Sequence, residues 1–143
     1  MEFSQEAVSN QMHTQIRAIL RIMGEAFDVQ KVTEQLGIAP TETWRKGDWI
    51  RKTGKRRTYT AWIYDTGPFE SLDMGVAIHF IREIFFPKTD ELVSLKEKDS
   101  LDISLDFVIE IAQEQPPAIY FDSDFIQFAA KIGARFDVGT YLY

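Results

Sequence analysis

The ten residues Asp102-Ile-Ser-Leu-Asp-Phe-Val-Ile-Glu-Ile111 alternate with a period of two. Ile103, Leu105, Phe107, Ile109 and Ile111 fall on one face, and Asp102, Ser104, Asp106, Val108 and Glu110 on the other. Successive strand side chains point to opposite sides of a sheet, so this spacing predicts a strand with one buried face. The one-sidedness decides the fold class. A parallel sheet covered on both faces reads as a continuous apolar run, whereas alternation belongs to an antiparallel or mixed sheet with one face open to water. The expectation is an α+β domain with a mixed or mostly antiparallel sheet of about five strands and its helices packed on one face.

The same period recurs upstream, where Ile16, Ala18, Leu20 and Ile22 alternate with Arg17, Ile19, Arg21 and Met23. Asp28 can cap a short helix with Val29, Val32 and Leu36 on one side, and Gly37 followed by Pro40 ends it. A strand over 58–65 carries Tyr59, Trp62, Ile63 and Tyr64, and Gly67-Pro68 breaks it. Ser71 is placed to cap a helix running to Phe85, Pro87 stops that helix, and 89–98 reads as a further short helix. After Pro116-Pro117 come a short strand over 118–121, a helix over 123–132 ended by Gly133, and a last strand over 134–142. The predicted order is βαβα(α)ββαβ. Residues 1–14 lack a period and are expected to form a flexible N-terminal segment, leaving 15–143 as the single domain.

Composition narrows the class. A chain of 143 residues, 45% hydrophobic and 27% charged, can bury a core of its own. There is no cysteine, which removes disulfides, thiolate metal sites and thiol nucleophiles and fits a reducing compartment. The acidic start, Met1-Glu2-Phe3-Ser4-Gln5-Glu6, has no basic or apolar leader region, and the apolar run from Met74 to Ile81 is far short of a membrane span. A cytoplasmic protein without a membrane segment is expected.

Charge is distributed unevenly. Residues 44–62 hold all three tryptophans, Trp44, Trp49 and Trp62, and seven of the sixteen basic residues. Arg45, Lys46, Arg51, Lys52, Lys55, Arg56 and Arg57 against Asp48 give the segment about +6, so the rest of a chain of net −6 carries −12. With no sustained period, 41–57 reads as an exposed loop or irregular hairpin.

The run Phe27-Asp28-Val29 through Leu36-Gly37-Ile38-Ala39-Pro40-Thr41, then Trp44, Lys46-Gly47-Asp48 and Trp62, resembles the bacterial family catalogued as domain of unknown function 4279. Phe85-Phe86-Pro87-Lys88, Phe121, Phe128-Ala129, Ile132-Gly133-Ala134 and Phe136-Asp137-Val138 with Tyr141 agree with it. The likeness covers about Ile16 to Tyr141 and departs at Gly139, where the family pattern implies an acid. It implies a small cytoplasmic α+β protein and supplies no catalytic residues.

Each chemical constellation has a plainer counterpart. Trp44, Arg45, Lys46, Trp49, Arg51, Lys52, Arg56 and Arg57 could neutralise and stack on a nucleic acid or phosphate ligand. Alternatively Trp44 and Trp62 anchor the segment to the sheet, which leaves Trp49 and the run 51–57 unexplained by packing. Lys52-Thr53-Gly54-Lys55 is not a phosphate loop. Six residues separate Gly47 from Gly54 where four are required, and Arg56 stands in place of Ser or Thr. Asp102, Asp106 and Glu110 are too widely spaced on one strand to share an ion, and are better paired with Arg17 and Arg21 across strands. His79 and Glu83 form a helical surface pair, and His13 stands alone. No catalytic set, metal or cofactor is indicated.

The expectation for function is a non-enzymatic protein-interaction domain, accessory or immunity-like, meeting a protein partner or a second copy through the open sheet face or the 44–57 segment. Nucleic-acid or phosphate binding through that segment is the alternative, and an enzyme acting on a small molecule ranks third.

Overall fold

The computed structural model describes residues 13–142; the segment 1–12, most of the stretch expected to be flexible, lies outside the described residues. Among the described residues, eight strands and four α-helices are arranged as β1 (Gln15–Gly24), α1 (Val29–Leu36), β2 (Glu42–Trp44), β3 (Trp49–Ile50), β4 (Lys55–Arg56), β5 (Thr60–Asp65), β6 (Phe69–Glu70), α2 (Gly75–Phe85), α3 (Thr89–Asp99), β7 (Asp102–Ile111), α4 (Ser123–Lys131) and β8 (Ala134–Leu142). The main sheet runs β2-β5-β1-β7-β8, with β6 taking up the pairing to β1 beyond the end of β5. All its pairings are antiparallel except β7 with β8, which α4 connects as the crossover a parallel pair needs. It is the mixed sheet that the alternation at 102–111 predicts.

The inward faces of β1, β5 and β7 meet all four helices in one core, which includes Leu20, Ile22, Trp62, Phe85, Phe107 and Phe125. Trp62 is fully buried, and its indole N–H donates to Thr33 Oγ1 of α1 at 3.0 Å. Under α4 the aromatic rings of Phe107, Phe121, Phe125 and Phe136 lie within 4.3–6.3 Å of one another. The phenylalanines among the described residues are thus largely a packing material.

The caps follow from local chemistry. Asp28 Oδ1 accepts from Gln30 N at 2.9 Å and Lys31 N at 3.4 Å, and Gly37 closes α1 at φ +67° with its N–H on Thr33 O. Asp122 caps α4 by accepting from Phe125 N, and Arg82 of α2 donates to both of its oxygens at 2.7 Å. The Phe125 N–H and the Arg82 guanidinium hold the Asp122 carboxyl below its ordinary pKa.

Three elements differ from expectation. Helix α2 starts at Gly75 rather than at a Ser71 cap, because Ser71 and Asp73 fold into a side-chain-bonded turn that delivers Met74 into the core. Helix α2 ends at Phe85 before Pro87, as expected, but Pro87 stands in a 3₁₀ turn, Phe86–Lys88, that leads straight into α3. Residues 118–121 form no strand: Ala118 makes a single bridge to Asp73, and β8 holds the place beside β7.

Among the described residues, the second face of the sheet carries no helix. Arg21 pairs there with Asp106 at 2.6 Å, as the ladder reading expects, but Arg17 turns to Asp65 of β5 at 3.6 Å and away from the β7 acids. The register explains it. Arg17 sits opposite Val108 with no acid directly across from it, and Asp106 is taken by Arg21 and accepts from Ser104 Oγ as well. His79 and Glu83 approach to 3.9 Å one turn apart.

Candidate functional site

The basic tryptophan segment is built on β2 and β5. Thr41 ties its start to β5, donating from its backbone N to Ile63 O at 2.8 Å and accepting from Asp65 N through Oγ1 at 3.0 Å. In the β2–β5 register Trp44 lies opposite Ala61, whose small side chain leaves room on the open face for an indole. The ring settles against Ile19, Ala61 and Ile63, with Tyr59 edge-on at 5.6 Å. The Arg57 guanidinium lies 3.7 Å above the ring. Trp44 is only 9% exposed, and its Nε1 is buried without a protein acceptor.

Beyond Trp44 the chain leaves the sheet. Asp48 accepts from Arg45 N at 2.8 Å, Gly47 turns at φ +95°, and reciprocal backbone bonds join Gly47 N to Arg57 O and Arg57 N to Asp48 O. These bonds close the base of a separate hairpin in which Trp49 pairs with Arg56 and Ile50 with Lys55. The tip, 51–54, uses Lys52 at φ 62° and Gly54 at φ 67°, and Thr53 Oγ1 bonds both Ile50 O and Lys55 N. The expected exposed loop or irregular hairpin is a short two-stranded one.

Trp49 is 64% exposed, and the Arg56 guanidinium covers its ring at 4.0 Å. Arg45, Arg51, Lys52, Lys55 and Arg56 are exposed and Arg57 is half-buried. Among the described residues only Lys46 of the seven basic side chains has a carboxylate partner, Glu25 at 2.8 Å. That ammonium, by hydrogen bond and by charge, holds the Glu25 carboxyl below its ordinary pKa. The eight singled-out residues therefore divide. Trp44 and Arg57 form a stack on the sheet and Lys46 joins β1, whereas Trp49, Arg51, Lys52 and Arg56 project on the hairpin with Arg45 at its foot.

At that foot lies an open cleft of about 590 Å³ between Glu25, Lys46, Tyr59, Asp102 and Arg135. Its volume is within the range of ligand sites. Two cations face two anions, however, and one pair is already formed across it. The cleft residues come from β1, β7, β8 and the approach to β5, so no local pattern in the sequence could have gathered them. Among the described residues no group of three His, Asp or Glu side chains is placed to hold a metal ion, and no helix is long and apolar enough to cross a membrane.

No curated protein and no solved structure matches the chain. A family model does, over residues 14–143, taking in every strand and helix of the sheet and the hairpin beside it. The chain belongs to the family described as domain of unknown function DUF4279.

Proposed function

We propose that this domain is a non-enzymatic, cytoplasmic protein-interaction module that grips an acidic segment of a partner protein with the 45–57 hairpin. The observation that carries the reading is Trp49. A largely exposed indole, stacked by Arg56 and surrounded by cations of which only Lys46 has a carboxylate partner among the described residues, has no packing role to account for it. Trp and Arg together dominate interface energetics, because each brings a large, oriented contact area to one small patch. An accessory or immunity-like role is the concrete version: the hairpin docks, and the acidic remainder of the surface sets which partners are repelled.

A long nucleic acid suits the hairpin less well. Among the described residues of the segment one largely exposed ring is available for stacking, and a strand leaving the patch would meet Glu25, Glu42 and Asp48 at its margin, in a chain whose residues outside 44–62 sum to −12.

Titration with polyglutamate and with an oligothymidylate of matched charge, followed by tryptophan fluorescence at low and moderate salt, tests the assignment. Polyglutamate is expected to shift Trp49 emission at low salt, and the shift is expected to vanish in Arg51→Glu/Lys52→Glu. Tighter binding of the oligonucleotide at moderate salt would transfer the hairpin to nucleic-acid recognition, and silence with both polyanions at low salt would end the proposal.

A further inference from the structure

The two edges of the main sheet are treated very differently. On one side β2 is three residues long and carries Glu42, after which the chain departs into the hairpin. On the other, β8 presents nine residues in unbroken register with β7 and, among the described residues, nothing on its outer side. Native edges are blunted by shortness, Pro, Lys or bulges, because a row of unpaired N–H and C=O groups templates another strand. Ala-Arg-Phe-Asp-Val-Gly-Thr-Tyr-Leu, 134–142, contains neither Pro nor Lys, and its pairing has no bulge.

Besides the charged Arg135 and Asp137, this edge exposes apolar side chains. Val138 is 36% exposed, Tyr141 54% and Leu142 82%. Ile126 of α4 joins them. Phe128 lies 4.5 Å from Phe86, so that flank of α4 faces the interior. Two residues turn a helix by about 200°, which sets the exposed Ile126 on the opposite flank, toward the free edge.

We propose that two copies of this chain pair antiparallel through β8, about a two-fold axis normal to the sheet at Val138, to make one continuous sheet. Such an axis keeps the helices of both copies on one side and sets residues of the same face opposite each other. With Val138 against its own copy, all nine residues pair. Ala134 meets Leu142 of the second copy, small against large, and Phe136 meets Thr140. On the open face Arg135 meets Tyr141, within reach of its ring, and Asp137 meets Gly139, which has no side chain to oppose it. A shift to an axis at Asp137 sets two carboxylates face to face, and a shift to Gly139 leaves Ala134 unpaired. An axis at Phe136 sets Arg135 against Asp137 but pairs only 134–138, so the full nine-residue register belongs to the Val138 axis, and that self-complementarity identifies the occupant as a second copy. This association uses the opposite edge of the sheet from the hairpin and does not depend on the function assigned there.

Light scattering across a wide concentration range is expected to give twice 16.6 kDa for the intact chain and 16.6 kDa for Val138→Lys, which brings two like charges together on the axis. Ile126→Lys, changed on a different element, is expected to weaken the dimer as well, which separates dissociation from misfolding. Because the chain has no cysteine, Val138→Cys reports the register directly. Opposed Cα atoms lie about 4.5–5.5 Å apart, so it is expected to cross-link to itself on mild oxidation. Arg135→Cys, roughly 20 Å from its own copy along the seam, is expected not to. A monomer at every concentration, or a dimer indifferent to both lysines, would overturn the proposal, and a lysine-sensitive dimer that Val138→Cys does not cross-link would overturn the register.

Discussion

Trp44 and Trp49 stand five residues apart, and each lies beneath an arginine, yet one belongs to the architecture and the other to the surface. The difference lies in what each backbone is paired with. Trp44 is in a strand bonded to β5, which presents Ala61, Ile63 and Ile19 as a floor for its ring, and it is 9% exposed. Trp49 is in a two-residue strand whose only partner among the described residues is the other arm of its own hairpin, and it is 64% exposed. A cation over a desolvated ring contributes up to ~2 kcal/mol, and over a wet ring about 0.5–1 kcal/mol. The same Arg–Trp pair is therefore expected to behave as a clamp in one place and as a contact surface in the other.

Truncation should separate the two most sharply, with Trp62 as the benchmark. Trp62→Ala empties a fully buried site and leaves Thr33 Oγ1 without its donor, so a loss of about 4–5 kcal/mol in urea unfolding is expected. Trp44→Ala should cost about 3 kcal/mol, less because the ring lies at the margin of the open face and its Nε1 has no acceptor to lose. A loss under 1 kcal/mol for Trp44→Ala would show that the open-face cluster is not a second core.

The arginines come next. Arg57→Ala should destabilise by about 1 kcal/mol, combining the lost stack with a wetter Trp44, whereas Arg56→Ala should stay within about 0.5 kcal/mol. Equal costs in the two variants would erase the distinction between clamp and surface.

Parts of this contrast can be read from sequence, for identifiable reasons. Strands β7 and β8 begin and end where their alternation does, since one buried face imposes a period on every residue. Helix α1 is legible because Asp28 and Gly37 mark its ends chemically. Met74 misleads because it lies in a turn and yet belongs to the core, and residues 118–121 mislead because three β-formers, Ile119, Tyr120 and Phe121, do not specify whether an adjacent edge is free. Within the candidate site, the residue types drew attention to 44–57 but could not divide it. What places Trp44 on the sheet is a small residue at position 61 of another strand, and two-residue strands such as β3 and β4 have no period to detect.

The smallest expected energetic effect is the most informative about surface chemistry. Trp49→Ala should change stability by less than about 0.5 kcal/mol, because the side chain leaves water only for Arg56. Its optical effect should nevertheless be large. Iodide, an anion, is concentrated near unpaired cations within about a Debye length, so at low ionic strength it should quench Trp49 more strongly than its bulk concentration predicts. Neutral acrylamide senses exposure without that bias. In the intact chain iodide quenching should therefore fall steeply as inert salt is added while acrylamide quenching does not. In Trp49→Ala the remaining emission, from Trp44 and Trp62, should be nearly blind to iodide. Arg51→Glu/Lys52→Glu should lower the iodide response and leave the acrylamide response in place. If iodide and acrylamide report the same accessibility at every salt concentration, the hairpin carries an exposed ring but no usable positive field, and the contrast with Trp44 reduces to burial alone.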